Sequence, residues 1–318
     1  MKISLITPAK KQSRSGNRST AIRWARFLRK IGHHVNINID YTGETTDLMI
    51  AIHAWRSAES IIRYKEKYPN GPLIVCLGGT DVNTFLKTDP KKTMRSMEFA
   101  NALICLHDLI GEVLPMFLRK KIHLVRQSAS PLPCPRRPTL NNFDICVIGH
   151  LRDEKDPFRT ALAARQLSVN SKMRVIHLGK AHNPVFASQA NKEMTINPRY
   201  QWIGDVPGWR VRRELVKTRL MVISSWQEGG ANVISEAVIA GVPIIASNIP
   251  GNIGLLGADY RGYYQVGNEQ ELANLLHIAE NDPTFLEALE TQLQKLRPLF
   301  GSVQEEAALI KVVDFVTS

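Results

Sequence analysis

The chain has 318 residues with 44% hydrophobic content, an ordinary globular composition that suggests two domains of about 150 residues each. Lys and Arg outnumber Asp and Glu by 41 to 29, for a formal net charge of +12; a solvated basic surface, an anionic substrate or an anionic membrane face would each account for this. Nucleic acid is set aside, because no nucleic-acid motif, aromatic stacking array or low-complexity basic tail occurs, and a transmembrane segment is set aside because no apolar run approaches about 18 residues.

The segment 2–7, KISLIT, is a short apolar strand, and a basic loop follows over 8–20. An amphipathic helix is expected over 19–31, with Ile22, Ala25, Phe27, Leu28 and Ile31 turned inward, and Gly32 ends it. HVNINI (34–39) is the second strand. Strand, Gly-containing loop, helix, strand opens a Rossmann-like domain. The loop reads Gly16-Asn17-Arg18 rather than G-x-G-x-x-G, so a dinucleotide is poorly supported. Lys10, Lys11, Arg14 and Arg18 can meet an anion there; for any one of them a solvated basic loop is the competing explanation. DLMIAIH (47–53) is a third strand, followed by a helix after Arg56. His53 stands at a strand's carboxyl end, where ligands of parallel sheets bind, and is read as either structural or functional. PLIVCLGGTD (72–81) ends in Gly78-Gly79-Thr80-Asp81, where glycine permits close approach of a ligand. Asp81 can accept from a sugar hydroxyl or cap the next segment. ALICLH (102–107) and IHLVRQS (122–128) complete the first sheet, and SPLPCPRRP (130–138), with four prolines, reads as an extended linker.

The second domain begins with FDICVIGH (143–150) and continues with a helix over 157–168, strand MRVIHLG (173–179), a loop to about 195, strand-like YQWIG (200–204) and a helix over 208–218. Helices near 268–280, 283–297 and 303–316 close the chain. The domain division is 1–138, 139–300 and a last helix, 301–318, returning to the first domain. Of the four cysteines, Cys76, Cys105 and Cys146 lie in apolar strand-like runs and Cys134 in the linker, without a C-x-x-C. They are read as thiols of a reducing, cytoplasmic compartment rather than zinc ligands, consistent with the missing signal-peptide pattern. Peripheral membrane contact stays open, because the N-terminal region is rich in Lys and Arg.

The densest chemistry lies in ISSWQEGGANVISEAVIAGVPIIAS (223–247), a strand, a glycine-rich turn, a helix from Asn232 and a second strand. Such a unit aims free backbone N–H groups and the positive end of a helix dipole at one spot, which suits a diphosphate. Gly229, Gly230, Ala231 and Asn232 form the turn and helix entry. Glu228 can meet a ligand directly, and Glu236 can accept from a pair of hydroxyls such as those of a ribose.

The Glu-(seven residues)-Glu spacing resembles the donor site of family 4 glycosyltransferases of the GT-B fold. Their pattern runs S-x-x-E-G-x-x-x-x-x-x-E-A-x-x-x-G-x-P-V-I-A-S, and Ser225, Glu228, Gly229, Glu236, Ala237, Gly241, Pro243, Ala246 and Ser247 fall on it. The resemblance implies an α/β chain of two Rossmann-like, doubly wound domains facing a central cleft. It puts Glu236 on the ribose, Glu228 beside the donor sugar and Gly229-Gly230 on the diphosphate. Family members usually carry G-R-L-x-x-x-K-G after the second domain's first strand. Here GHLRDEKDP (149–157) matches at Gly149, Leu151 and Lys155, with His150 in the arginine's place and Arg152 two residues later. Arg152 and Lys155 are taken as the diphosphate-gripping pair; a surface turn paired to Asp153, Glu154 and Asp156 is the alternative. No D-x-D motif occurs, so metal-independent transfer with no cofactor is expected.

GNRSTAIRWARFLRKIGHHV, LMIAIHAWRSAESI, LIVCLGGTD and VIGHLRDEKDPFRTALAARQL together resemble the selenosugar synthase family (SenB) of selenoneine biosynthesis. That resemblance implies attack by selenophosphate on the anomeric carbon of a UDP-sugar, UDP-N-acetylglucosamine or UDP-glucose, with UDP leaving and phosphate lost. Selenophosphate already carries its charge, so such an acceptor needs cations more than a strong base. Arg18 and Arg56, with Gly16, Asn17 and Thr20, are the acceptor-side candidates; His53, Thr80 and Asp81 are candidates for the sugar. Two other functions compete: an ordinary family 4 transferase acting on a hydroxyl, and a non-catalytic nucleotide-sugar-binding protein.

Overall fold

The structure, a computed structural model, describes residues 1–318. It contains two six-stranded sheets in which every pairing is parallel. The first holds β1 (Lys2–Ile6), β2 (His34–Asn38), β3 (Leu48–Ile52), β4 (Leu73–Cys76), β5 (Ala102–Cys105) and β6 (Ile122–Leu124), in the order β2-β1-β3-β4-β5-β6. The second holds β7 (Phe143–Ile148), β8 (Met173–Leu178), β9 (Tyr200–Gly204), β10 (Leu220–Ile223), β11 (Ile244–Ser247) and β12 (Tyr263–Tyr264), in the order β12-β11-β10-β7-β8-β9.

A parallel sheet must be covered on both faces, so its central strands read as unbroken apolar runs. All five residues of β3 are buried. Its side chains alternate between two cores: Leu48, Ile50 and Ile52 pack with Trp24 and Leu28, and Met49 and Ala51 with Ile61 and Tyr64. Each sheet also reverses its direction of growth beside its first strand, between β1 and β3 and between β7 and β10. The carboxyl ends at such a reversal splay apart and leave room for a ligand.

Contacts divide the chain into two units. One is Met1–Ser128 with Glu228–Asn232 and Ser302–Ser318; the other is Ala129–Gln227 with Val233–Gly301. In the second unit the proline-rich segment is held in place. The Arg136 guanidinium donates to the carbonyls of Gly241 and Thr218 and to Glu290, and the Arg137 and Thr139 amides donate to Val216 and Lys217.

Several local expectations are corrected. The first helix runs Gly16–Lys30, so Gly16, Asn17 and Arg18 form its first turn rather than a loop. Ile22 and Ile31 are 51% and 42% exposed, while Ala21 and Trp24 are buried with Ala25 and Leu28. The winning face is 21, 24, 25, 28, the i, i+3, i+4, i+7 stripe centred on the larger tryptophan. The stretch read as a loop to about 195 is a helix, Pro184–Ile196, started by Pro184 and by the Asn183 side chain accepting the Phe186 amide. Cys76, Cys105 and Cys146 are buried and Cys134 is exposed. Burial pushes the Cys105 and Cys146 thiols up to about 12.

Candidate active site

In the second unit the site is built where β7 and β10 end side by side. His177 on β8 sets the exit of β7: its Nε2 lies 3.1 Å from the Gly149 carbonyl and its Nδ1 3.0 Å from the Tyr200 hydroxyl. Burial lowers its pKa to about 4. The ring is therefore neutral, donating to Gly149 and accepting from Tyr200. The chain then passes buried Leu151, the half-buried Arg152 and a single 3₁₀ turn, Asp153–Lys155. Asp156 follows with φ of 44°, anchored by Arg159 Nε at 2.8 Å.

Two groups from the end of β10 fasten this turn. The Ser224 hydroxyl lies 3.0 Å from the Lys155 carbonyl and 2.9 Å from that of Asp156, and the Trp226 amide donates to the Glu154 carbonyl at 2.9 Å. The Lys155 backbone is thus clamped while its side chain points from a fixed base. Arg152 Nε is buried without a hydrogen-bond partner, and a Glu154 carboxylate oxygen lies 3.7 Å from it. His150 replaces an arginine of the family pattern, and burial, then Arg152, Lys155 and Lys180, lower its pKa against Asp205. It is neutral at pH 7, with Nδ1 accepting the Lys180 amide at 3.1 Å. The positive charge at this turn therefore belongs to Arg152 and Lys155. Glu236 lies on the helix Asn232–Ala240 that leads from the β10 turn.

In the first unit, two groups of candidates are brought together. At the start of the first helix, Ser15 makes no side-chain cap and the first turn holds no acid. Ser15 Oγ and Arg18 Nε are both buried without hydrogen-bond partners. An uncapped helix N-terminus beside a guanidinium favours an anion. Thr20 does not share in this, because its buried hydroxyl donates to the Gly16 carbonyl at 3.0 Å and accepts from Gln127 at 2.5 Å.

The second group is His53, Thr80 and Asp81. Asp81 is fully buried and accepts from the amides of Gly78, Ala54 and Trp55 at 2.8, 2.8 and 2.9 Å. It also contacts His53 Nδ1 at 2.6 Å. Of the two readings of Asp81, a sugar contact or a local cap, these contacts show the local one: its oxygens organise the turn and the histidine. His53 Nε2 lies 2.8 Å from the Thr80 hydroxyl. Arg56 is exposed, and its amide lies 3.3 Å from His53 Nδ1. The diglycine turn belongs to the same unit. A β-carbon on Gly229 would fall 2.0 Å from the Gly79 nitrogen, and one on Gly230 would fall 2.4 Å from Leu106 Cβ. Gly230 also takes φ of 131°. Glycine is required at both, and buried Glu228 enters the turn.

Ser15, Ser224, Trp226 and His177 were not singled out from sequence. Ser224 and Trp226 lie inside the motif as unassigned positions, and His177 sits mid-strand, where only the β7–β8 register brings it under Gly149.

Each unit is a six-stranded parallel sheet with helices, the Rossmann-like type of domain. The chain belongs to the group 1 glycosyltransferases, whose family profile matches residues 136–295, half of the chain. It is 23% identical over 270 residues to Glycosyltransferase 1 domain-containing protein 1 of Xenopus tropicalis, covering 77% of this chain and 78% of that protein. Its fold is GT-B. It superimposes on Anabaena Alr3699/HepE, solved in complex with UDP, with a TM-score of 0.79 at 14% identity, covering 99% of this chain and 100% of that one. Sucrose-phosphate synthase of Thermosynechococcus elongatus gives a TM-score of 0.77 at 14% identity over 99% and 98% of the two chains. No helix is long and apolar enough to cross a membrane.

Proposed function

We propose that this glycosyltransferase moves a sugar from a UDP-sugar, UDP-N-acetylglucosamine or UDP-glucose, to selenophosphate without a metal ion. Selenium attacks the anomeric carbon, the bond from that carbon to the diphosphate oxygen breaks, and the electron pair leaves with UDP. Loss of the phosphoryl group then yields a 1-selenosugar.

The observation that carries the donor half is the clamped turn: Ser224 and Trp226 fix the backbone from which Arg152 and Lys155 extend. Fixed cations stabilise a developing diphosphate charge without reorganising during the reaction. Glu236 is assigned to the ribose, Glu228 to the donor sugar and Gly229 to Asn232 to the diphosphate, as in the family pattern. The similar Anabaena protein was solved with UDP-glucose, which favours a uridine nucleotide here too. The acceptor half rests on the uncapped first turn of the helix Gly16–Lys30, where Ser15 Oγ and Arg18 Nε lack partners. A small dianion satisfies both. The choice of selenium within that charge class rests on the segment-by-segment resemblance to selenosugar synthases.

Mass spectrometry of a reaction of purified protein, UDP-N-acetylglucosamine and fresh selenophosphate tests the reading, with UDP release followed alongside. A selenium isotope cluster at a selenosugar mass is the expected result. UDP release with no selenium product would keep the transferase and move the acceptor to a hydroxyl. Absence of UDP release with every common UDP-sugar would overturn the donor assignment.

A further inference from the structure

The chain Asp81–His53–Thr80 has the connectivity of a proton relay, and the proposed transfer does not use it. Asp81 is 0% exposed and His53 3% exposed, whereas Thr80 is only partly buried. Two groups of opposite kind approach His53 Nδ1, a donor and an acceptor. The Arg56 amide stands at 3.3 Å, while the Asp81 oxygen stands at 2.6 Å. A carboxylate cannot donate, so the short contact places a proton on Nδ1 and directs it to Asp81. Nε2 is then the basic nitrogen, and at 2.8 Å it accepts the Thr80 hydroxyl proton. The partly accessible end of the chain is thus one hydroxyl, polarised by a histidine that is oriented by a buried carboxylate.

The backbone is shaped to make this contact. His53 is one of two non-glycine residues with positive φ, at 78°. Such a conformation is strained for a residue with a side chain and persists where the surrounding structure over-determines it. Gly78 clears the ring: a β-carbon there would fall 3.2 Å from His53 Cδ2. Phe85 lies 5.8 Å from the imidazole, centroid to centroid, at the end of the short π-helical turn that begins at Asp81. Gly79, next to Thr80, is the residue on which the Gly229 turn rests. The hydroxyl therefore sits beside the backbone assigned to the diphosphate.

We infer that Asp81, His53 and Thr80 form the general-base relay for an attacking water. Resting on the proposed selenophosphate transfer, the step is hydrolysis of the selenium-linked phosphoryl group on the sugar. Water oxygen attacks phosphorus, the P–Se bond breaks, and its electron pair leaves on selenium. The water proton passes to Thr80 Oγ as the Thr80 proton passes to His53 Nε2. The imidazolium, held by Asp81, then returns its proton to the selenolate. Inorganic phosphate and the selenol are the products. Thr80 touches the attacking water, and His53 and Asp81 act through it.

The experiment separates the two steps. Wild type, Thr80→Val, Thr80→Ser and His53→Gln are incubated with UDP-N-acetylglucosamine and selenophosphate, and UDP, phosphate, selenosugar and phosphorylated selenosugar are quantified. Loss of a general base slows its step by about 10²-fold or more, so Thr80→Val should raise the ratio of phosphorylated to free selenosugar at least tenfold, and Thr80→Ser should restore it towards wild type. Parallel loss of UDP and selenosugar in Thr80→Val, or an unchanged product ratio, would overturn the relay. If wild type releases no UDP with selenophosphate, the underlying transfer fails, and the hydrolytic step fails with it. Thr80→Val is nearly isosteric, so a melting temperature close to wild type keeps the result interpretable if His53→Gln misfolds.

Discussion

His177 joins Tyr200 to Gly149 as a neutral ring, with its pKa lowered to about 4 by burial. Burial lowers His107 to about 4 as well. In both, the folded value lies below the unfolded 6.5, so the unfolded chain binds the proton first as pH falls. Their stabilisation is complete above 6.5 and is lost as pH drops toward 4. At about 1.4 kcal/mol per pH unit, each contributes roughly 3 kcal/mol to acid destabilisation. The melting temperature should fall steadily between those pH values, and His177→Gln should flatten the slope; an unchanged slope would exclude His177 as a source. At the cationic turn, Lys155→Ala and Arg152→Ala should each lower kcat by about 10²–10³-fold, read by UDP release. The sequence exposed Lys155 through its motif register. Arg152, displaced two places from the family's arginine, was also a candidate from sequence, and the structure adds that its Nε is buried without a hydrogen-bond partner.

The last helix, Ser302–Thr317, shows what an element adds. Its apolar face, Leu309, Val312 and Val313, completes the core against Trp24 and Leu28. Glu305 is 1% exposed and collects Arg23 Nε at 2.6 Å, Trp24 Nε1 at 2.8 Å, and the Ser128 amide at 2.8 Å. Removing one partner of a buried charged network typically costs about 3–5 kcal/mol, because the other charge stays buried. Glu305→Ala should therefore lower the urea midpoint strongly, and Glu305→Gln, which keeps acceptors, should do so less. A small shift in both would show that the network is worth little. The helix itself was legible from its periodicity. The pairing of Glu305 with Arg23, 282 residues away, was not. The helix Pro184–Ile196 was missed for a related reason: few of its side chains are buried, so no apolar stripe marks it, and its start rests on the Asn183 cap and Pro184.

At the scale of the molecule, the +12 charge and the proposed anionic acceptor bear on one measurement. Association of a dianion with a basic protein weakens as salt screens it. The kcat/KM for selenophosphate should fall as sodium chloride is raised; a flat response would place the basic excess elsewhere, such as a membrane face tested by liposome pelleting. Transfer should also continue in EDTA. Restoration of an EDTA-abolished activity by Mg²⁺ would refute metal independence.

The sequence by itself determined the fold and the donor motif. Continuous apolar strands alternating with helices require covered parallel sheets, and the Glu228–Glu236 spacing lies within one local strand–turn–helix unit. Local order of this kind is written in consecutive residues. Only the tertiary structure decided which candidates act together. Ser224 clamps Lys155 across 69 residues, and Asp81 captures His53 across 28, because parallel topology sets strand ends side by side that are remote in the chain. The tertiary structure also gave Asp81 and Thr20 partners within the protein. A polar side chain announces its chemistry in the sequence, but burial decides whether that chemistry is spent within the protein or left for a ligand.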